Sequence, residues 1–386
     1  NSYMTKDEKM IVMCKVFNVI LPQIEGDTVT FIGSTFWNFG ENEQYLNHCA
    51  VLGESSSVSN SEIKCVKTEK DLLIEWTKII LREDPDIIIG YNIFGFDYSF
   101  MYERAKELDC LEQFMKLSRN KNHVCELKES TLQIASGTHT LKYIDMPGRD
   151  SIDLYNYFRR EFNLDSYKLD YVGGNFIGDV IKGYSVSEDK TTTFITKNLS
   201  GLQLENFINF QEIGHSVDYY LNGKKYKIIN IENNKITVEG EVLLNKEKMM
   251  KWCLAKDDVT PQDIFRLTNT GIPEDKAIIA KYCIQDCNLV HYLFNKIDVL
   301  TGMLEMGNIC SVPLSFIIMR GQGIKLLSFL SKKCREKNVL MPDLDKARGN
   351  EGFEGAMVLP PKCDLYLKIP VAVVDYSSLY PSAIIS

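Results

Sequence analysis

The sequence predicts an α/β fold, and three observations carry that prediction. β-branched and aromatic runs alternate with amphipathic segments, apolar residues make up 45% of the 386 positions, and no stretch approaches eighteen uninterrupted apolar residues. A chain of this size and composition fills one large core and begins a second. Strands separated by helices suit a sheet that is covered on its faces.

Residues 28–37 (TVTFIGSTFW) are rich in β-branched and aromatic side chains, and 49–52 and 63–66 are shorter runs of the same kind, which reads as neighbouring strands. Over 69–82, Leu72, Leu73, Trp76, Ile79 and Ile80 fall at helical spacing, and Pro85 stops the helix before an apolar strand at 87–89. Gly90 and Asn92 then turn the chain into a helix over 97–108, with Phe100, Met101, Ala105 and Leu108 toward the sheet. Asp97 thereby falls between a strand end and a helix start. A strand follows at 140–144, then helix-like segments at 151–162 and 167–176 around a polar LDSYK turn.

Residues 183–251 differ in character. SEDKTTT is polar, and YLNGKKYKIINIENNKITVEGEVLL alternates around N-G and N-N turns, the mark of an inserted β-rich module. Helical spacing returns over 273–297, and again from 313 to about 338 with a break near Gly321 and Gly323.

The formal charge of −8 excludes a surface that is basic all over, so any nucleic-acid site has to be a local patch. Between Arg320 and Arg348, eight Lys or Arg face three acids, a local net of +5. Charge alone fits a solvated helix face as well as a DNA-binding surface. The eleven cysteines are scattered and never form C-x-x-C, which fits reduced thiols in an intracellular compartment. The N-terminus NSYMTKDEKM has neither an initiator methionine nor a signal-peptide core, so the expectation is a soluble chain that starts mid-protein and has no membrane partner.

Hydrolysis of a phosphodiester with two metal ions needs several carboxylates converging from different elements, because hard cations take oxygen ligands. Asp97, in GYNIFGFDYSF, follows a strand and sits near a glycine that lets the backbone come close. Taken alone, an N-cap explains it better. Tyr282 and Asp286 lie at i, i+4, which puts a phenol and a carboxylate on one helix face. Taken alone, that pattern is a buried tyrosine with a surface aspartate. His291 has no second ligand at metal spacing and reads as a packing or surface histidine.

In this order, GYNIFGFD at 90–97 and YCIQD at 282–286 resemble the second and third exonuclease motifs of family B DNA polymerases. IDLYNYFRREFNLDSYKLDYV at 152–172 and WCLAKDDVTPQDIF at 252–265 also look like that family, above all its delta-type members and those of nucleocytoplasmic large DNA viruses. The resemblance implies that Asp97 and Asp286 bind metal, that Tyr282 places the water or phosphate, and that Asn92 and Phe96 shape a primer-end pocket. Asp153 stays structural. The family's first exonuclease motif, D-x-E, has no counterpart before FIGSTF: Asp7-Glu8 is adjacent, and Glu25-Gly-Asp27 runs in the wrong order. Truncation at the N-terminus is the expected reason.

DYSSLYPSAIIS at 375–386 resembles polymerase motif A, with an apolar β-like run at 371–374 leading into Asp375. The resemblance implies that Asp375 holds metal for nucleotidyl transfer, that the backbone at Ser378 and Leu379 faces the triphosphate, and that Tyr380 stacks beneath the incoming sugar. Phe353-Glu-Gly355-Ala356 resembles the family's Y-x-G-G/A template contact with phenylalanine for tyrosine, and Arg320 joins the DNA-backbone surface. The implied architecture is an RNase H-like 3′-to-5′ exonuclease domain over 1–310 with the insert at about 184–251, a basic helical linker over 311–352, and the start of a palm, with its first strand, over 353–386.

The implied activity is that of a DNA-directed DNA polymerase with proofreading, using two Mg²⁺ ions per active site. Its implied partners are primer-template DNA and deoxynucleoside triphosphates, with a processivity factor left open. The implied setting is a virus-encoded enzyme in the host cytoplasm or nucleus, of which this chain is an internal piece inactive alone. A stand-alone RNase H-like nuclease and a non-catalytic DNA-binding relic of the fold remain as alternatives.

Overall fold

A computed structural model of the chain describes residues 26–41, 43–134, 137–199, 202, 204, 206–214, 217–243, 248–255, 259, 261–341, 357–367 and 369–386. The chain divides into two units, Asn1–Val339 and Leu340–Ser386. The acids at 7, 8 and 25 and Phe353 and Gly355, expected to contact the template, lie outside the described residues.

In the first unit, β1 (Phe31–Phe36) runs antiparallel to β2 (Leu46–Leu52), which pairs in parallel with β3 (Glu62–Val66). The helix α1 (Glu69–Glu83) starts where the Thr68 hydroxyl accepts the Asp71 N–H at 3.2 Å, and it ends where Asp84 turns left-handed ahead of Pro85. Its predicted apolar stripe, Leu72, Leu73, Trp76, Ile79 and Ile80, is buried. Next come β4 (Ile87–Gly90), a single wide turn of π-helix over Ile93–Asp97, then α2 (Tyr98–Glu107) and the short α3 (Leu111–Phe114). The hairpin β5 (Glu126–Ile134) and β6 (Gly137–Asp145) follows, and β7 (Asp150–Asp153) returns to pair in parallel with β4.

After α4 (Leu154–Glu161) and α5 (Leu169–Phe176), eight antiparallel strands form one sheet. They are β8 (Gly178–Val180), β9 (Gly183–Val186), β10 (Thr191–Ile195), β11 (Phe207–Ile213), β12 (Val217–Tyr219), β13 (Tyr226–Glu232), β14 (Lys235–Glu239) and β15 (Met249–Ala255). The segment expected as a β-rich insert is built of strands, and their sheet extends past 184–251 at both ends. Its inward residues Phe194, Phe210, Ile228 and Trp252 share a core with Phe158, Leu289 and Leu293 of the flanking helices.

Four helices follow the insert's sheet and lead into the basic segment: α6 (Pro261–Asn269), the long α7 (Pro273–Lys296), α8 (Val299–Cys310) and α9 (Leu314–Met319), then α10 (Gln322–Glu336). The expected break near Gly321 separates the last two. The expected single mixed sheet is divided: among the described residues β1 pairs with β2 and β4 with β7, and α7 packs on β1, β2 and β4 alike.

The second unit is extended until α11 (Leu379–Ile385), which begins after Ser378 in a left-handed conformation (φ 51°). Residues 371–374, expected as the first palm strand, form no strand. Val373 and Val374 are 93% and 89% exposed, and among the described residues of this unit no strand offers an edge to satisfy the backbone groups of a lone apolar run.

Candidate active site

The turn that carries Asp97 is shaped by three features of the sequence. Asn92 adopts the left-handed region at φ 65°, and its carbonyl accepts the N–H groups of Gly95 (3.0 Å) and Phe96 (3.1 Å). Its side chain folds over Gly95, where an added Cβ would stand 2.3 Å from the amide oxygen, so a larger residue there would displace the Asn92 side chain. Asp153 fixes the turn from below, accepting the N–H of Asn92 at 2.7 Å and of Phe94 at 3.1 Å. The same carboxylate caps α4 through the Tyr155 N–H (3.0 Å) and takes the Asn156 amide (2.9 Å). A structural role for Asp153 is what this geometry describes.

Asp97 occupies the position before α2, yet its side chain caps nothing. The N-cap explanation fails on this point. The carboxyl reaches solvent while protein crowds it on its other sides, and this burial, followed by the nearby charge of Asp153, pushes its pKa up to about 6. Beside it, Phe96 is 37% exposed and stacks on Phe100 with ring centroids 5.2 Å apart.

Asp286 and Tyr282 come from the middle of α7. With Asp170, Gln285, Asn206 and Leu254 they line a cleft between α7, α5 and the sheet of the insert. Both are partly buried, so Asp286 is not the free surface aspartate that the isolated pattern suggests. The link to Asp97 runs through Cys287: burial first, then the charges of Cys283, Asp286 and Asp97, push that thiol well above its ordinary value. The charges of both Asp97 and Asp286 are thus felt at a single side chain. The position of α7 is set by Gly33 of β1, where a Cβ would lie 3.2 Å from both the Cβ and the carbonyl oxygen of Cys283.

His291, one turn further on, is occupied in packing. Its ring stacks on Trp37 at 5.0 Å and its Nε2 lies 3.3 Å from the Thr35 carbonyl. Burial lowers its pKa to about 4, so it is neutral at ordinary pH.

Two carboxylates are a donor set for a hard divalent cation. Among the described residues no group of three or more His, Cys, Asp or Glu side chains is placed to hold a metal ion. In the second unit Asp375, Ser378, Leu379 and Tyr380 are all exposed. The exposed guanidinium of Arg320, between α9 and α10, lies over the Phe316 ring at 5.5 Å. The ten cysteines among the described residues are free thiols, and no described helix is long and apolar enough to cross a membrane.

The family model for the exonuclease domain of DNA polymerase family B matches residues 10–172, and the model for DNA polymerase family B matches residues 312–386. The DNA polymerase of Phaeocystis pouchetii virus is 43% identical over 98% of this chain, and that of Pyramimonas orientalis virus is 39% identical over 96%. The DNA polymerase delta catalytic subunit of Dictyostelium discoideum is 29% identical over 94% of the chain. The chain spans 38%, 30% and 26% of the length of these three relatives. With one family matched on both sides of the insert, and Asp97 and Asp375 each inside a matched segment, the chain belongs to DNA polymerase family B.

Proposed function

We propose that the protein is a DNA-directed DNA polymerase with a 3′-to-5′ proofreading exonuclease, and that its first unit carries the nuclease site on an RNase H-like frame. The observation that supports this is that Asp97, at a strand–helix junction, and Asp286, from α7, are both near enough to Cys287 for their charges to raise its thiol pKa. Carboxylates converging from distant elements are what metal-assisted phosphodiester hydrolysis requires.

In this reading Asp97 and Asp286 hold Mg²⁺, which when bound supplies charge neutralisation at the scissile phosphate. Tyr282, on the same face of α7 as Asp286, orients the water or the phosphate. Asn92 gives the turn its shape, and the exposed Phe96 ring offers a stacking surface to the terminal base. In the second unit Asp375 holds the metal of nucleotidyl transfer, Ser378 and Leu379 face the triphosphate, and Tyr380 lies under the sugar. Arg320 contacts the DNA backbone, and Phe353 and Gly355 contact the template strand. Primer-template DNA and deoxynucleoside triphosphates are the substrates, and the viral relatives suit a role in DNA replication inside a host cell.

The test uses the full gene product. D97A and D286A are expected to lower 3′-to-5′ hydrolysis of a primer end by about 100-fold or more while leaving primer extension within a few-fold, and D375A to do the reverse. Unchanged hydrolysis in the D97A/D286A double variant would overturn the nuclease assignment, and unchanged extension in D375A the polymerase assignment.

A further inference from the structure

Lys325 lies in the first turns of α10 and is only 5% exposed. Charge counting places it on a solvated basic face; the fold buries it. Its stem is buried, and its ammonium has no hydrogen-bond acceptor or ion-pair partner among the described residues. The charged groups around it are Arg160 and Glu161 at the end of α4, with the Cys310 thiol near by. Glu161 is already engaged by the Arg160 Nε at 2.7 Å, and the Arg160 Nη1 donates to the Ile317 carbonyl at 3.3 Å. Arg160 thus occupies Glu161, and Lys325 is left without a counter-charge in bonding distance among the described residues.

The start of α10 adds to this field. Gly321 precedes the helix with no side-chain cap, so the first N–H groups point outward unpaired by any cap. A Cβ at Gly321 or at Gly323 would meet nothing within 4 Å, so the space in front of the helix is open. Helical side chains lean toward the N-terminus of their helix, which aims Lys325 into the same space. An arginine fork, a lysine point charge and free helix N–H groups together form an oxyanion receptor.

We propose that Lys325 and Arg160, at the N-terminus of α10, form a phosphate-binding subsite for the backbone of a DNA strand. The proposal rests on the DNA-polymerase reading above and assigns residues which that reading leaves out. A polymer fits better than a nucleotide because the positive charge continues outward along the same elements through Arg320, Lys332 and Arg335.

The test compares the parent chain with K325M and K325R in fluorescence-anisotropy titrations against a single-stranded oligonucleotide and against a deoxynucleoside triphosphate, with melting temperatures measured alongside. The expected result is that K325M binds the oligonucleotide about tenfold more weakly, with a salt slope smaller by about one, and melts no lower than the parent. K325R, which keeps the charge, retains most of the affinity. Equal oligonucleotide affinity in K325M and the parent would overturn the subsite while leaving DNA binding in place. A K325M that melts lower with unchanged DNA affinity would reveal an internal partner, and a loss confined to the triphosphate would point to a nucleotide site; either result overturns the proposal. A parent chain that binds no oligonucleotide would remove the DNA-polymerase reading together with the subsite.

Discussion

Asp153 accepts the Asn92 N–H at 2.7 Å with one carboxylate oxygen and the Phe94 N–H at 3.1 Å with the other, so a residue of β7 gives the turn before Asp97 its shape. Four donors converge on this buried carboxylate, yet burial outweighs them and its pKa rises to about 6. Replacement by alanine strands two N–H groups of the turn and uncaps α4, at a cost of about 3 kcal/mol or more. Asparagine keeps one accepting oxygen and is expected to cost about half as much. Urea midpoints at constant m-value give the comparison, and equal losses in D153A and D153N would mean that the donors find other acceptors.

Gly33 and Cys283 hold β1 and α7 in close register. G33A places a methyl 3.2 Å from Cys283, and its cost is about 1 kcal/mol; G33V forces the helix away and costs roughly 2–3 kcal/mol. Part of the contact is with the backbone carbonyl of Cys283, so trimming the partner in G33V/C283A is expected to recover little stability. Full recovery in the double variant, measured by thermal unfolding, would show that the thiol alone sets the distance. Because α7 carries Tyr282 and Asp286, G33V should also lower hydrolysis in the full gene product more than it lowers primer extension.

Elements with strong periodicity were legible in the sequence. The five apolar positions of α1, the length of α7 and the break before α10 follow from spacing and from the conformational effects of proline and glycine. The π-turn at Ile93–Asp97 was not legible, because its shape depends on acceptors from Asp153, which is distant in sequence. The strand β5, ELKESTLQI, carries no clean alternation and owes its conformation to pairing with β6. Residues 371–374 have strand composition and no strand, since a strand needs an edge as well as a sequence. In the candidate site, Asp97, Tyr282 and Asp286 are named by motif order and resemblance, since the spacing of each pattern alone fits a structural role equally well. Gly33 and Lys325 were missed because what singles them out is a tertiary neighbour and a burial state that spacing does not encode.

His291 gives the protein a pH dependence whose sign can be worked out. Its folded pKa, about 4, lies below the ordinary 6.5, so between these values the unfolded chain binds a proton that the folded chain refuses. The stability linked to this residue is complete above pH 6.5 and is lost as pH falls toward 4, by on the order of 2–3 kcal/mol. Asp97 and Asp153, both raised to about 6, act in the opposite sense over much of the same window. The difference between the parent and H291Q therefore isolates the histidine. Denaturant stabilities at pH 7 and pH 4.5 are expected to show the parent losing more than H291Q, and parallel losses would rule the histidine out as the source.

Glu69 and Arg104 tie α1 to α2 by a buried ion pair in which both side chains are 8% exposed. Glu69 Oε2 accepts the Arg104 Nη2 at 2.6 Å, while Oε1 takes both the Arg104 Nε at 2.9 Å and the Val29 N–H at 2.8 Å. Removing one partner leaves a charge with nowhere to go, so R104M is expected to cost about 3–5 kcal/mol. In E69Q/R104M no buried ion remains, since Glu107, the other partner of Arg104, is exposed to solvent, and the glutamine oxygen still accepts the Val29 N–H. The double variant should therefore be more stable than R104M alone, recovering at least about 1 kcal/mol. Chemical denaturation of the four-member cycle decides the matter: a double variant no more stable than R104M would mean that packing of the arginine stem, and not its charge, holds α1 and α2 together.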